Sequence, residues 1–179
     1  VSTVLSVNPR RLRIRVAVFA CLVLVAMGVD QAAKALALAK LSAIQPVSII
    51  PGFLSLRLLR NPGASLGMGA GATWVISLLA VFACLAFVLL ALATDSMSWT
   101  LAFALAFAGA AGNLIDRIVY AQGFLDGEVV DFLDYGWSVG NIADLYLALA
   151  AAAVIVMVVV GWPFRRSGAA AARQGEGER

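Results

Sequence analysis

Residues 73–93 read TWVISLLAVFACLAFVLLALA, an apolar run without a single charge. A helix needs about 20 such residues to cross the hydrocarbon core of a bilayer, so this run predicts a membrane-spanning helix. Similar runs lie on both sides of it: about 16–39 before it, then about 99–120 and 141–162 after the short turn Thr94-Asp95-Ser96-Met97-Ser98. The 179-residue chain as a whole is 63% hydrophobic and 13% charged. A soluble domain sits near half apolar and a quarter charged, so the composition places this one in the membrane class. The expectation is a membrane all-α fold, a four-helix transmembrane bundle with a small β element, in one domain over 1–163.

Two segments fall outside the runs. Residues 42–72 hold Pro46, Pro51 and Pro62, with partial alternation over Phe53–Leu58 that predicts short strands. Residues 121–138 hold Asp126, Glu128, Asp131 and Asp134 among glycines and read as a loop with one short strand around Val129-Val130. The Gly/Ala/Arg/Glu-rich residues 164–179 read as a disordered tail. The basic start, Arg10, Arg11, Arg13 and Arg15, imitates a secretory signal. The apolar character resumes after Asp30 without a small-residue cleavage site, so a spanning helix is expected instead. Arginines at both ends place both termini in the cytoplasm by the positive-inside rule. Segments 42–72 and 121–138 then lie outside, and Arg57 and Arg60 count mildly against that arrangement.

The topology brings every unusual polar group to one layer. Helices one and three run outward and carry Asp30/Lys34 and Asn113/Arg117 in their second halves; helix four runs inward and carries Asn141/Asp144 at its start. Asn61 and Asp131 lie on the outer segments. Charge within a bilayer is costly, about 2.5–3.5 kcal/mol per residue on insertion scales, so such a cluster reads as functional. The chain has no histidine, which excludes Ser-His-Asp and Cys-His catalysis and His-containing zinc sites. Cys21 and Cys84 read as buried structural thiols.

Asp131 and Asp144 are the candidate catalytic pair. Two carboxylates held close cannot both ionise cheaply, so one keeps a proton. The neutral acid can donate to a carbonyl oxygen while the carboxylate takes a proton from water, which is aspartyl peptide hydrolysis and requires no cofactor. The simpler readings are a helix cap for Asp144 and an ordinary loop acid for Asp131, with Asp126, Glu128 and Asp134 as rivals. Asn113 and Arg117 share a helix face; Arg117 could bind a phosphate or carbonyl oxygen, snorkel, or pair with Asp116. Asp30 and Lys34 form an i,i+4 pair, and Asn61-Pro62-Gly63 reads as a turn.

These residues, in this order, resemble the bacterial lipoprotein signal peptidase (signal peptidase II) family. The motifs are Asp30-Gln31-x-x-Lys34, Asn61-x-Gly63-Ala64, Gly112-Asn113-x-x-Asp116-Arg117, Val130-Asp131-Phe132 and Asn141-x-Ala143-Asp144. The resemblance implies a four-helix inner-membrane enzyme with an extracytoplasmic β-cradle, formed from part of 42–72. Such an enzyme cuts the signal peptide from prolipoproteins just before the lipid-modified cysteine. It implies catalytic aspartates at Asp131 and Asp144. Asp30, Lys34, Asn61, Gly63, Asn113, Arg117 and Asn141 would be supporting positions. The implied partners are lipid-modified prolipoproteins and membrane lipids, with no nucleic acid and no metal, and the expected state is a monomer. The chain departs from the family pattern at Leu66 and Gly140, where aromatics are usual, and in a short stretch between the aspartates. These departures bear on packing around the pair.

Three other readings compete. A proton-coupled carrier would use Asp30, Asp116 and Asp144 as a relay, but carriers set their ionisable groups near the midplane rather than at one rim. A non-catalytic scaffold would tolerate alanine throughout the polar layer. A metal-dependent lipid transferase would need a tight acidic cluster on one helix, which this sequence lacks.

Overall fold

The structure, a computed structural model, describes residues 9–63 and 70–165. Four helices are long and apolar enough to span a membrane: α1 (Pro9–Lys40), α2 (Thr73–Ala93), α3 (Met97–Val119) and α4 (Ile142–Val159). Strands β1 (Val47–Ile50), β2 (Leu54–Asn61), β3 (Val129–Asp134) and β4 (Val139–Gly140) form one antiparallel sheet in the order β1-β2-β3-β4.

The central helix is α3, which packs against each of the other three. Its sequence explains the position. Ala102, Ala104, Ala106, Ala108, Ala110 and Ala111 are all buried, and small side chains let neighbouring backbones approach closely where lipid supplies no hydrophobic drive between helices. Gly109 marks the tightest contact: a Cβ there would lie 2.5 Å from the Ala143 carbonyl oxygen of α4 and 2.7 Å from Leu147 Cγ. The outer helices turn large apolar side chains outward, among them Leu24, Leu36, Phe82, Leu85, Leu149 and Val159, as a surface facing hydrocarbon requires. Beside the α2–α3 turn, Trp99 packs on Phe103 and Phe164, with ring centroids 5.6 and 5.4 Å apart.

The sheet stands at the other end of the bundle. Gly52, at φ +76°, turns β1 into β2 in a conformation that side-chain-bearing residues rarely adopt. Between Leu56/Leu133 and Leu59/Asp131 the β2–β3 pairing advances one residue further on β2 than on β3. Such a bulge locally re-aims side chains, and Asp131 is the next residue paired.

Several expectations need correction. α1 is already helical at Pro9, the first described residue, rather than from near 16, so Arg10, Arg11, Arg13 and Arg15 all lie on the helix. Helix three begins at Met97, and helix four spans Ile142–Val159 rather than 141–162. The cradle is not confined to 42–72: half of its strands come from 129–140, and β3 is a full strand rather than a fragment. Cys21 is exposed and Cys84 half-buried, since Cys21 lies on an outward face where a thiol is simply a small apolar group. Phe164 belongs to the aromatic cluster, and Arg165 donates to the Ala93 carbonyl at 3.0 Å. The rest of the expected tail, and the Ala64 and Leu66 positions, lie outside the described residues.

Candidate active site

Asp131 reaches its position on β3, flanked by the buried Val130 and Phe132. It is 2% exposed. One carboxylate oxygen accepts from Asn61 Nδ2 at 2.8 Å and the other from Asn141 Nδ2 at 2.6 Å. Burial pushes its pKa from 3.8 up to about 6; the two amide donors and the Lys34 charge oppose the rise, and the Asp144 charge adds to it.

Asp144 lies in the first turn of α4, where it forms a capping box with Asn141. Asn141 Oδ1 accepts from the Asp144 N–H at 3.0 Å, and Asp144 Oδ2 accepts from the Asn141 N–H at 3.0 Å. The capping role weighed for Asp144 is therefore present, and it leaves Oδ1 to accept from Asn113 Nδ2 at 2.8 Å. Asn141 is the shared element, holding Asp131 through its side-chain amide and Asp144 through its backbone. Its Nδ2 also donates to Asn113 Oδ1 at 3.0 Å, so the aspartates and asparagines form one closed network.

A second, deeper layer fixes the first. Asp30, 0% exposed, accepts the Ala143 N–H at 2.9 Å, gripping the start of α4 from α1. Lys34 pairs with Asp30 as the i,i+4 spacing predicts, at 2.9 Å, and equally with Asp116 at 2.9 Å. It also donates to Asn113 Oδ1 at 3.1 Å, which directs the Asn113 NH2 toward Asp144. Asp116 accepts the Val130 N–H at 3.0 Å beside Asp131. Gly112 leaves room for this: a Cβ there would lie 2.8 Å from Asp30 Oδ2.

Arg117 does not pair with Asp116, which Lys34 already holds. Its guanidinium turns to the Gly63 carbonyl at 2.9 Å and the Asn113 carbonyl at 3.4 Å. Gly63 in turn donates its N–H to Asn61 Oδ1 at 3.0 Å, an Asx turn that aims the Asn61 amide at Asp131. The turn expected at Asn61-Pro62-Gly63 is thus itself a positioning device.

The rival acids are engaged elsewhere. Asp126 caps the Gln122 and Gly123 N–H groups at 3.0 and 2.8 Å, and the Gly123 bond in particular holds its pKa low. Asp134 pairs with Arg57 at 3.0 Å, and Glu128 is exposed. Arg60 stacks over the Tyr120 ring at 4.2 Å. Both cations that counted against the topology therefore have local partners. Gly140, the departure beside Asn141, abuts the pair: a Cβ there would lie 2.9 Å from Asp144 Oδ2.

Sequence reading missed two contributors. Asp116 stands in a family motif, as a partner for Arg117 and as a relay member but not among the supporting positions, although Asn113 and Asp116 are neighbours on the helix by spacing. Tyr135, between the aspartates in sequence, went unremarked. Burial first, then the Asp144 and Asp131 charges, raise its phenol pKa, which places it within their electrostatic reach.

A family model described as signal peptidase (SPase) II matches residues 22–160. The lipoprotein signal peptidase of Bifidobacterium adolescentis is 60% identical over 157 residues, 88% of this chain and 84% of that protein. That of Mycobacterium tuberculosis is 36% identical over 157 residues, 87% of this chain and 76% of that protein. A solved bacterial membrane enzyme superposes with a TM-score of 0.72 at 28% identity, covering 80% of this chain and 88% of that one.

Proposed function

Because the chain belongs to the signal peptidase II family, we propose that it is an aspartyl endopeptidase of the bacterial inner membrane. Its substrates are diacylglyceryl-modified prolipoproteins, cut just before the lipidated cysteine. The observation that carries this reading is the closed network in which Asn141 holds Asp131 and Asp144 together, one through its side chain and one through its backbone.

In this reading the pair shares one proton and titrates as a unit. The ionised carboxylate takes a proton from water as the oxygen attacks the scissile carbonyl carbon. The protonated partner donates to the carbonyl oxygen, giving a neutral tetrahedral diol. Collapse returns a proton to the leaving nitrogen, so the products are the signal peptide's carboxyl terminus and the free amine of the lipidated cysteine. Asn61 and Asn113 each donate to one aspartate, which keeps the carboxylate planes fixed while the proton changes hands. The capped first turn of α4 favours negative charge there, by about 0.3–1 kcal/mol.

The membrane supports the same assignment. Arg10, Arg11, Arg13, Arg15 and Arg165 gather at the end opposite the aspartates. By the positive-inside rule that end is cytoplasmic, and the aspartates face outward at the rim where an acyl-anchored substrate would present its cysteine. The lipid chains would lie beside the helices in the outer leaflet, and a monomer contains all the groups invoked.

The test is product analysis. Purified protein is given a synthetic diacylglyceryl prolipopeptide, its unlipidated counterpart, and the lipidated one with chelator. Mass spectrometry should find one cut, before the modified cysteine, in the lipidated substrate with or without chelator. Equal cutting of the unlipidated peptide, or loss of activity with chelator, would contradict the proposal.

A further inference from the structure

At the end of the bundle away from the aspartates, α1 packs along α3 but hardly touches α2. The resulting cleft holds a half-open cavity of about 90 Å³, lined by Arg15, Val16 and Phe19 of α1, Val88 and Leu92 of α2, and Thr100 of α3. Its lining is apolar apart from Arg15 and the Thr100 hydroxyl.

Arg15 is 4% exposed. Its Nη1 donates to the Ala91 carbonyl at 2.9 Å and to Thr100 Oγ1 at 3.4 Å, engaging the last turn of α2 and the first of α3. The other edge of the guanidinium is unused. Nε is buried with no hydrogen-bond partner, and Nη2, which flanks it, has no acceptor among the described residues. Nor does any carboxylate among the described residues form an ion pair with Arg15. A buried cation without a counter-charge is costly. The free Nε/Nη2 edge is the side-on fork that matches two oxygens of a carboxylate or phosphate.

Depth selects between those ligands. Arg15 lies about 22 Å along α1 from Asp30, at roughly 1.5 Å per residue. With Asp30 near one face of a hydrocarbon core of about 30 Å, Arg15 falls in the opposite leaflet. From there an arginine side chain reaches lipid phosphates. Arg11, one turn beyond on the same helix face and exposed, adds positive charge on the headgroup side.

We propose that this cleft binds an anionic phospholipid of the opposite leaflet, its phosphodiester on the Nε/Nη2 edge of Arg15 and a short segment of one acyl chain in the cavity between α1 and α2. The lipid fills the gap that these helices leave and supplies the counter-charge that the described protein lacks. The site is remote from the aspartates and does not depend on their assignment.

The experiment uses the full chain, delipidated in detergent, with dioleoyl-phosphatidylglycerol, dioleoylglycerol or inorganic phosphate added. Native mass spectrometry reads bound lipid, and thermal unfolding reads Tm. Phosphatidylglycerol should remain bound and raise Tm above the values with the other two. Arg15→Met should weaken its binding by about tenfold or more, the loss of a charge-assisted hydrogen bond, and Arg15→Lys should fall between. Leu92→Trp fills the cavity while leaving Arg15 intact; it should also weaken binding and stands in if Arg15→Met does not fold. Equal effects of phosphatidylglycerol and dioleoylglycerol would overturn the proposal, as would inorganic phosphate matching the lipid. So would undiminished lipid binding in Arg15→Met or in Leu92→Trp.

Discussion

Replacing Lys34 by methionine tests the layer beneath the aspartates. The substitution keeps the length of an unbranched chain and removes only the charged end. That end lies 2.9 Å from Asp30 and 2.9 Å from Asp116, and also donates to the Gly112 carbonyl and to Asn113 Oδ1. Lys34 is 2% exposed, so water does not replace what is lost. Removing one partner of a buried ion pair typically costs about 3–5 kcal/mol, because the charge left behind is uncompensated. Here two carboxylates are left, which puts Lys34→Met at the upper end of that range. Adding Asp116→Asn should recover part of the loss by removing one of them. The assay is reversible unfolding in mixed micelles followed by tryptophan fluorescence. Lys40→Met is the control: Lys40 is exposed at the end of α1, and the change there should stay within about 0.5 kcal/mol. If Lys34→Met costs no more than Lys40→Met, the polar layer does not hold the bundle together and the reasoning fails.

Other consequences follow from single contacts. The folded pKa of Asp131, raised from 3.8 to about 6, means that the native state holds more protons than the unfolded state between those values. Stability should therefore fall as pH rises through that window, by about 3 kcal/mol in full at about 1.4 kcal/mol per unit. Asp131→Asn should make this dependence shallower, and matching pH profiles of unfolding in the two proteins would refute it. Asn141→Ala removes the α4 cap and the bridge together, costing about 1–2 kcal/mol and most of the activity. Asn141→Asp retains a cap oxygen but sets a third carboxylate 2.6 Å from Asp131, so it should lose activity with a smaller loss of stability; parallel unfolding and cleavage assays separate the two effects. Gly109→Val would force α3 from α4, where a Cβ already meets the Ala143 carbonyl at 2.5 Å. It should destabilise by about 1–3 kcal/mol or more, whereas Gly28→Ala, with open space around it, should be nearly neutral in the same measurement.

The parts of the fold legible in the sequence are those set by local composition. The 73–93 run coincides with α2, because an uninterrupted apolar stretch has one good solution in a bilayer. The i,i+4 pair Asp30/Lys34 was readable for the same reason: both residues lie on one helix. What escaped depends on contacts far apart in the chain. Nothing in the local pattern says that Lys34 also holds Asp116 of α3, or that β2 pairs with β3 and so brings Asn61 to Asp131. Nor does it say that Asn141 serves as cap and bridge at once. The inward turn of Arg15 was hidden because a basic cluster before an apolar run ordinarily marks only orientation. The gathering of the unusual polar residues at one end of the bundle could be anticipated from helix direction alone, without knowing any of their partners.

The carrier and scaffold readings lose ground on the same geometry. Asp30 and Asp116 are both held by Lys34 and by backbone N–H groups, which suits positioning better than proton passage. The remaining question is whether Asp131 and Asp144 carry the chemistry, and single-turnover cleavage of a diacylglyceryl prolipopeptide by folded Asp131→Asn and Asp144→Asn answers it most directly. Each variant should lose at least about a hundredfold in rate, the scale of a lost general acid or base, with substrate binding largely retained. Cleavage at the wild-type rate by either variant would contradict the aspartyl mechanism.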